Sequence, residues 1–245
     1  MRLLVLNPNT STAMTAAIGR AAQAAASPGS EVLALQPEFG PLSIEGHFEE
    51  TIAAAGVAAL LGSAAVPAHD ATIIACFGDP GLDAAREVSA APVLGIAEAA
   101  FHAASMLATG FSVVTTMKRT CIMAEHLVQR YGFERHCRGV HGTDIPVLNL
   151  EDPSASTVAE IEAAAREALS RDGSGAVVLG CAGMAPLCAQ LQERLGVPVI
   201  DGVAVAVRFA EALVGLGLRT SKRGDYAAPL PKRYVGWAES LSRGA

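Results

Sequence analysis

Residues 71–81 read ATIIACFGDPG, and residues 175–186 read GAVVLGCAGMAP. In each, a short apolar run rich in β-branched residues ends within two residues of a cysteine. That pattern marks a strand buried on both faces. Asp79 before Pro80 reads as an N-cap followed by proline at the first helical position. Cys76 and Cys181 are therefore expected at the carboxyl ends of strands, each facing the amino end of a helix. In a parallel sheet that edge is where ligands bind.

The same alternation runs along the whole chain. Strands are expected at residues 3–6, 31–35, 71–75 and 93–96, with helices at 11–26, 49–63 and 81–89. The second half repeats the order, with strands at 112–115, within 140–146, at 176–179 and at 197–200. Its helices are expected at 118–131, 154–171 and 186–195. Strands joined by helical crossovers form parallel sheets covered on both faces. Cys76 and Cys181 lie 105 residues apart, Pro92 and Pro198 106, and Leu3 and Ser112 109. Landmarks at nearly one offset indicate a duplication. The expected fold is α/β, with two duplicated lobes, each a four-stranded parallel sheet flanked by helices. A pseudo-two-fold axis would relate the lobes, and the two thiols would face each other across the cleft between them.

Composition narrows the function. Of 245 residues, 51% are hydrophobic and 17% charged, which supplies an ample core. A net charge of −6 without a basic cluster argues against nucleic acid. No apolar stretch reaches the length of a membrane span or a signal-peptide core, so a cytoplasmic location is expected. Five cysteines, without C-x-x-C or H-x-x-x-H spacing, point to neither a disulfide framework nor a zinc site. Cys121, Cys137 and Cys188 read as small buried hydrophobes.

Two thiols on opposite faces of one carbon suit inversion of a stereocentre. One thiolate removes a proton, and the opposing thiol returns one to the other face. No cofactor is needed when an adjacent carbonyl acidifies the carbon. A helix amino end lowers a thiol's pKa, and both cysteines are expected to feel that effect. The backbone amides of Phe77, Gly78, Ala182 and Gly183 are candidates for binding an enolate oxygen. Asn7 and Thr116, 109 residues apart, occupy matching places after the first strand of each half and are candidate ligand-binding residues, or helix caps. The loop from Gly40 to His47 should lie over the same edge, with His47 read as a surface residue and polar lining as the alternative. A cysteine-nucleophile hydrolase is disfavoured, because no histidine belongs to a nucleophile motif and one nucleophile leaves the second matching cysteine unexplained.

Together NPNTS (7–11), SIEGH (43–47), CFGDPG (76–81), LGCAGM (179–184) and PVIDG (198–202) resemble the hydantoin racemases of the aspartate/glutamate racemase superfamily. The resemblance runs from residue 2 to about 217. It implies a cofactor-independent two-base racemase whose catalytic pair falls on Cys76 and Cys181, and a homo-oligomer. It also implies that the helix after each lobe's last strand crosses to the other lobe. One lobe would then be residues 1–96 plus 204–245, and the other 97–203. The amino-acid racemases of that superfamily resemble Cys-Asn-Thr and Cys-Thr-His at the two cysteines. Here Phe77-Gly78 and Ala182-Gly183 stand in those places. That lining favours a neutral hydantoin ring over a free amino acid. Allantoin, a hydantoin with a ureido group, is the neighbouring substrate. The tail from Thr220 to Trp237 is expected to be extended.

Overall fold

A computed structural model describes residues 1–63 and 66–242. The first sheet holds β1 (Arg2–Leu6), β2 (Glu31–Leu35), β3 (Ala71–Ile74) and β4 (Val93–Gly95) in the order β2-β1-β3-β4. The second holds β5 (Phe111–Thr115), β6 (Cys137–Gly142), β7 (Ala176–Leu179) and β8 (Val199–Ile200) in the order β6-β5-β7-β8. Every pairing is parallel. Each sheet thus repeats one strand order, and its central pair ends in register, at Leu6 with Ile74 and at Val114 with Leu179. The central strands are buried along their length because their runs are apolar on both faces.

Among the described residues seven α-helices connect successive strands, α1 (Thr12–Ala25), α2 (His47–Gly62), α3 (Leu82–Val88), α4 (Ile96–Leu107), α5 (Cys121–Arg130), α6 (Ala155–Asp172) and α7 (Cys188–Leu195), and α8 (Gly202–Gly215) follows the last strand. Ser11 caps α1 by accepting from the Met14 amide at 3.1 Å, and Ser154 caps α6 from Thr157 at 3.1 Å. The third helix departs from expectation. Asp79 sits at φ +45°, and the helix begins only at Leu82, after Gly81 at φ +74°. The strand expected within 140–146 begins earlier, at Cys137. Its glycine-rich segment pairs because β5 offers a free edge, a tertiary effect that outweighs local propensity. Pro186 lies inside a 3-10 run, Ala182–Leu187, and α7 starts after it.

Helices α4 and α8 pack on each other at the junction of the two halves. Gly202 permits the approach, since a Cβ there would fall 2.4 Å from the Ile96 carbonyl oxygen. Val203, Ala206, Val207 and Ala210 of α8 join Leu3, Val5 and Ile73 in one core. From α4, Ala97, Ala100, Phe101 and Ala104 join Phe111, Val113 and Val178 in another. Phe101 is fully buried, with its ring stacked 5.5 Å from Phe111 and edge-on 5.6 Å from Phe77. Truncating it to alanine is expected to cost about 3–5 kcal/mol. Past α8 the chain runs back over α3, where the Tyr226 hydroxyl donates to Asp83 at 3.0 Å. Residues 64, 65 and 243–245 of the expected first lobe lie outside the described residues. No described helix is long and apolar enough to cross a membrane.

Candidate active site

Both sheets deliver a cysteine to one cavity. Cys76 follows β3 by two residues and Cys181 follows β7 by two, and both line a cavity of about 60 Å³. The loops after the cysteines make the same turn. The Asp79 amide donates to the Cys76 carbonyl at 3.0 Å, and the Met184 amide donates to the Cys181 carbonyl at 3.0 Å. Each sulfur also takes a backbone hydrogen bond from two residues on, from Gly78 to Cys76 and from Gly183 to Cys181.

These amides do not make the resting thiols acidic. Burial pushes Cys76 up to about 12 and Cys181 up to about 11, and the Gly78 and Gly183 amides offset only part of that. The expectation of lowered pKa values is overturned. No α-helix starts at either sulfur to supply the positive end. Desolvation, which depends on tertiary packing, is the larger effect. A charge on Cys181 would raise Cys76 further, so the two do not ionise together readily. One thiolate opposite one thiol is the state that a two-base inversion uses.

Phe77, Gly78, Thr116 and Ala182 also line the cavity. Gly183 does not; it faces Leu150, whose Cβ would lie 3.0 Å from a side chain placed there. Asn7 is turned away as well. Its amide nitrogen donates to Asn9 Oδ1 at 2.7 Å and Thr15 Oγ1 at 2.9 Å, and Asn9 reaches the cavity instead. The Asn-Pro-Asn turn places the second asparagine beyond the strand end and uses the first to brace it. Ile44 lines the wall from the Gly40–His47 loop, as expected of that loop, and Met123 of α5 and Val147 join it without any sign in the local sequence pattern.

Carboxylates surround this centre. Glu50 acts electrostatically on Cys76, and Glu45 on Cys181. Glu45 also bridges the halves, accepting the Val147 amide at 2.8 Å. Asp79 is 3% exposed and accepts from the Ala97 and Glu98 amides, both at 3.0 Å, and from the Tyr131 hydroxyl at 2.9 Å. It therefore caps α4, not the helix after Pro80. Burial raises its carboxyl to about 6, with those three donors pulling it back. No group of three or more His, Cys, Asp or Glu side chains among the described residues is arranged to hold a metal ion.

A family model described as Asp/Glu/Hydantoin racemase matches residues 3–210. The chain belongs to that family. It is 45% identical to a hydantoin racemase of Rhizobium meliloti, over 96% of this chain and 98% of that one. With the hydantoin racemase of Pseudomonas sp. (strain NS671) the identity is 43%, over 99% and 98%. A solved structure of an allantoin racemase from Klebsiella pneumoniae is 53% identical and superimposes with a TM-score of 0.95, covering 99% of both chains. The protein is a racemase with the fold of this superfamily, and the resemblance read from the sequence motifs holds.

Proposed function

We propose that this racemase inverts C5 of a 5-substituted hydantoin, with Cys76 and Cys181 as opposing acid and base. The observation that carries the reading is that one thiol from each half lines the same cavity. In one direction the Cys76 thiolate takes the C5 proton and becomes a thiol. The electron pair moves into the C4 carbonyl as an enolate. Cys181 then gives its proton to the opposite face and becomes the thiolate. Proton exchange between the sulfurs, through solvent, resets the pair. The reverse reaction runs the same steps from the other face. With the Gly78 and Gly183 amides held by the sulfurs, the amides of Phe77 and Ala182 take the enolate oxygen. Thr116 and Asn9 serve the ring's remaining carbonyl and N–H groups.

This chemistry needs no cofactor. The division into lobes of 1–96 plus 204–245 and 97–203 fits the packing of α8 on β3 and of α4 on β7. A homo-oligomer in the cytoplasm completes the reading. Allantoin is the second substrate in view, favoured by the 53% identity to the Klebsiella allantoin racemase. Polarimetry on single enantiomers of 5-isopropylhydantoin, 5-benzylhydantoin, allantoin and aspartate tests the proposal. Optical rotation should decay to zero with at least one hydantoin and stay constant with aspartate. Racemisation of aspartate at a rate comparable to any hydantoin would refute it.

A further inference from the structure

A second recess, of about 390 Å³, adjoins the thiol cavity and shares Gly78 and Met123 with it. Its walls come from the start of α2, the Cys76 loop and α5. It differs in character from the cavity beside it. His47, Glu50, Thr51, His126 and Arg130 give it hydrogen-bonding side chains. The Glu50 carboxylate closes over Gly78, with Oε1 3.1 Å from the point where a Cβ would stand. His47 Nδ1 lies 3.5 Å from Glu50 Oε2. The His47 and His126 rings stack, 6.3 Å apart and 24° from parallel. Asp79, which also lines the recess, is committed to the first turn of α4, and Asp83 pairs with Arg130, so Glu50 over Gly78 is the lining carboxylate left for a ligand.

We infer that this recess is the subsite for the C5 substituent, and that Glu50 selects substituents that donate hydrogen bonds. The inference rests on the racemase reading above and extends it to substrate choice. With the ring filling the thiol cavity, the substituent must leave it, and the recess shares its wall. A ureido group carries N–H donors for Glu50 and a carbonyl for the ring nitrogen of His126. An aryl group would strip water from Glu50 and return no hydrogen bond, which is unfavourable. A carboxymethyl group would set one carboxylate against another. The order of preference is therefore ureido, then neutral alkyl or aryl, then anionic.

The test compares kcat/KM for racemisation of allantoin, 5-isopropylhydantoin and 5-carboxymethylhydantoin by wild type and Glu50→Gln, with spontaneous racemisation subtracted. Glu50 also influences the charge on Cys76, but that effect is common to all three substrates and cancels in their ratios. Losing a hydrogen bond to a charged acceptor should lower the allantoin-to-isopropyl ratio about tenfold. The carboxymethyl-to-isopropyl ratio should rise by a similar factor. His126→Ala, which leaves Glu50 in place, should lower the allantoin ratio in the same direction by about fivefold. Ratios that stay constant in both variants overturn the subsite while leaving the racemase reading intact. A wild-type enzyme inactive on all three hydantoins overturns that reading, and the subsite with it.

Discussion

Positions 79 and 184 each stand three residues past a cysteine, and each donates its amide to that cysteine's carbonyl at 3.0 Å. One is an aspartate and the other a methionine. Met184 is fully buried in an apolar cluster with Leu150, Ile161 and Leu179. Asp79 is equally buried but spends its carboxylate on the first turn of α4. The second half meets the same need locally. Asp201 caps α8, accepting from the Val203 amide at 2.9 Å and the Ala204 amide at 3.0 Å. Its counterpart in the first half, 106 residues earlier, is Gly95. A Cβ there would lie 2.2 Å from Asp79 Cγ. The two halves thus place one capping carboxylate on different strand ends. In the first, the cap is carried by the Cys76 loop, and Tyr131, at the end of α5, bonds to it as well. The Cys76 loop is tied to two helices by charge, whereas the Cys181 loop is held by apolar packing.

Gly95→Ala attacks this difference most severely. The added methyl displaces the Asp79 carboxylate, so overpacking and lost capping coincide. A loss of about 4 kcal/mol is expected in a urea titration. Removing the carboxylates separates the halves. Asp79→Ala leaves two amides and a phenol buried without an acceptor, at about 3 kcal/mol. Asp201→Ala, the loss of an ordinary cap, should cost about 1 kcal/mol. Equal losses from the two would mean that Asp79 does nothing beyond capping.

What the loops share is a protonated thiol. Because burial holds both sulfurs above their ordinary range, the thiolate fraction at neutrality is far below one and grows with pH. Between pH 6 and 8, kcat/KM should rise about tenfold per pH unit. A flat profile would mean that one thiol is already ionised in the free enzyme. Tyr131→Phe removes one of three donors to Asp79 and, like Asp201→Ala, should cost about 1 kcal/mol. Its effect on hydrogen exchange at C5 should fall on the face served by Cys76 and spare the other.

The duplication was legible in the sequence because strand cores and strand ends are written in local pattern. Apolar runs ending at cysteine, and prolines at a constant offset, led to two parallel sheets of one strand order. What escaped was non-local. An aspartate before a proline looks the same whether its carboxylate caps the next helix or one that starts 17 residues later at Ile96. Asn7 and Asn9 flank one proline, and only the turn geometry decides which of them reaches the cavity. The thiol pKa values escape for the same reason: local pattern implies a helix amino end at each cysteine, while the burial that outweighs it comes from tertiary packing, with Met123 and Val147 of distant segments lining the same cavity. His47 was expected on the surface, and its side chain is indeed 62% exposed, yet it lies at the rim of the second recess.

The central claim is that Cys76 and Cys181 serve opposite faces of one carbon. Hydrogen–deuterium exchange at C5, followed by NMR on each enantiomer in deuterated water with Cys76→Ser and Cys181→Ser, tests it most directly. A serine hydroxyl cannot replace a thiolate as base near neutral pH, so both variants should lose racemisation by about a thousandfold or more. Each retains one thiol, which can remove the proton on its own side and return a deuteron there. One variant should therefore exchange only the D form, and the other only the L form, after subtraction of spontaneous enolisation. Exchange of the same enantiomer by both variants, or racemisation at the wild-type rate by either, would contradict the account.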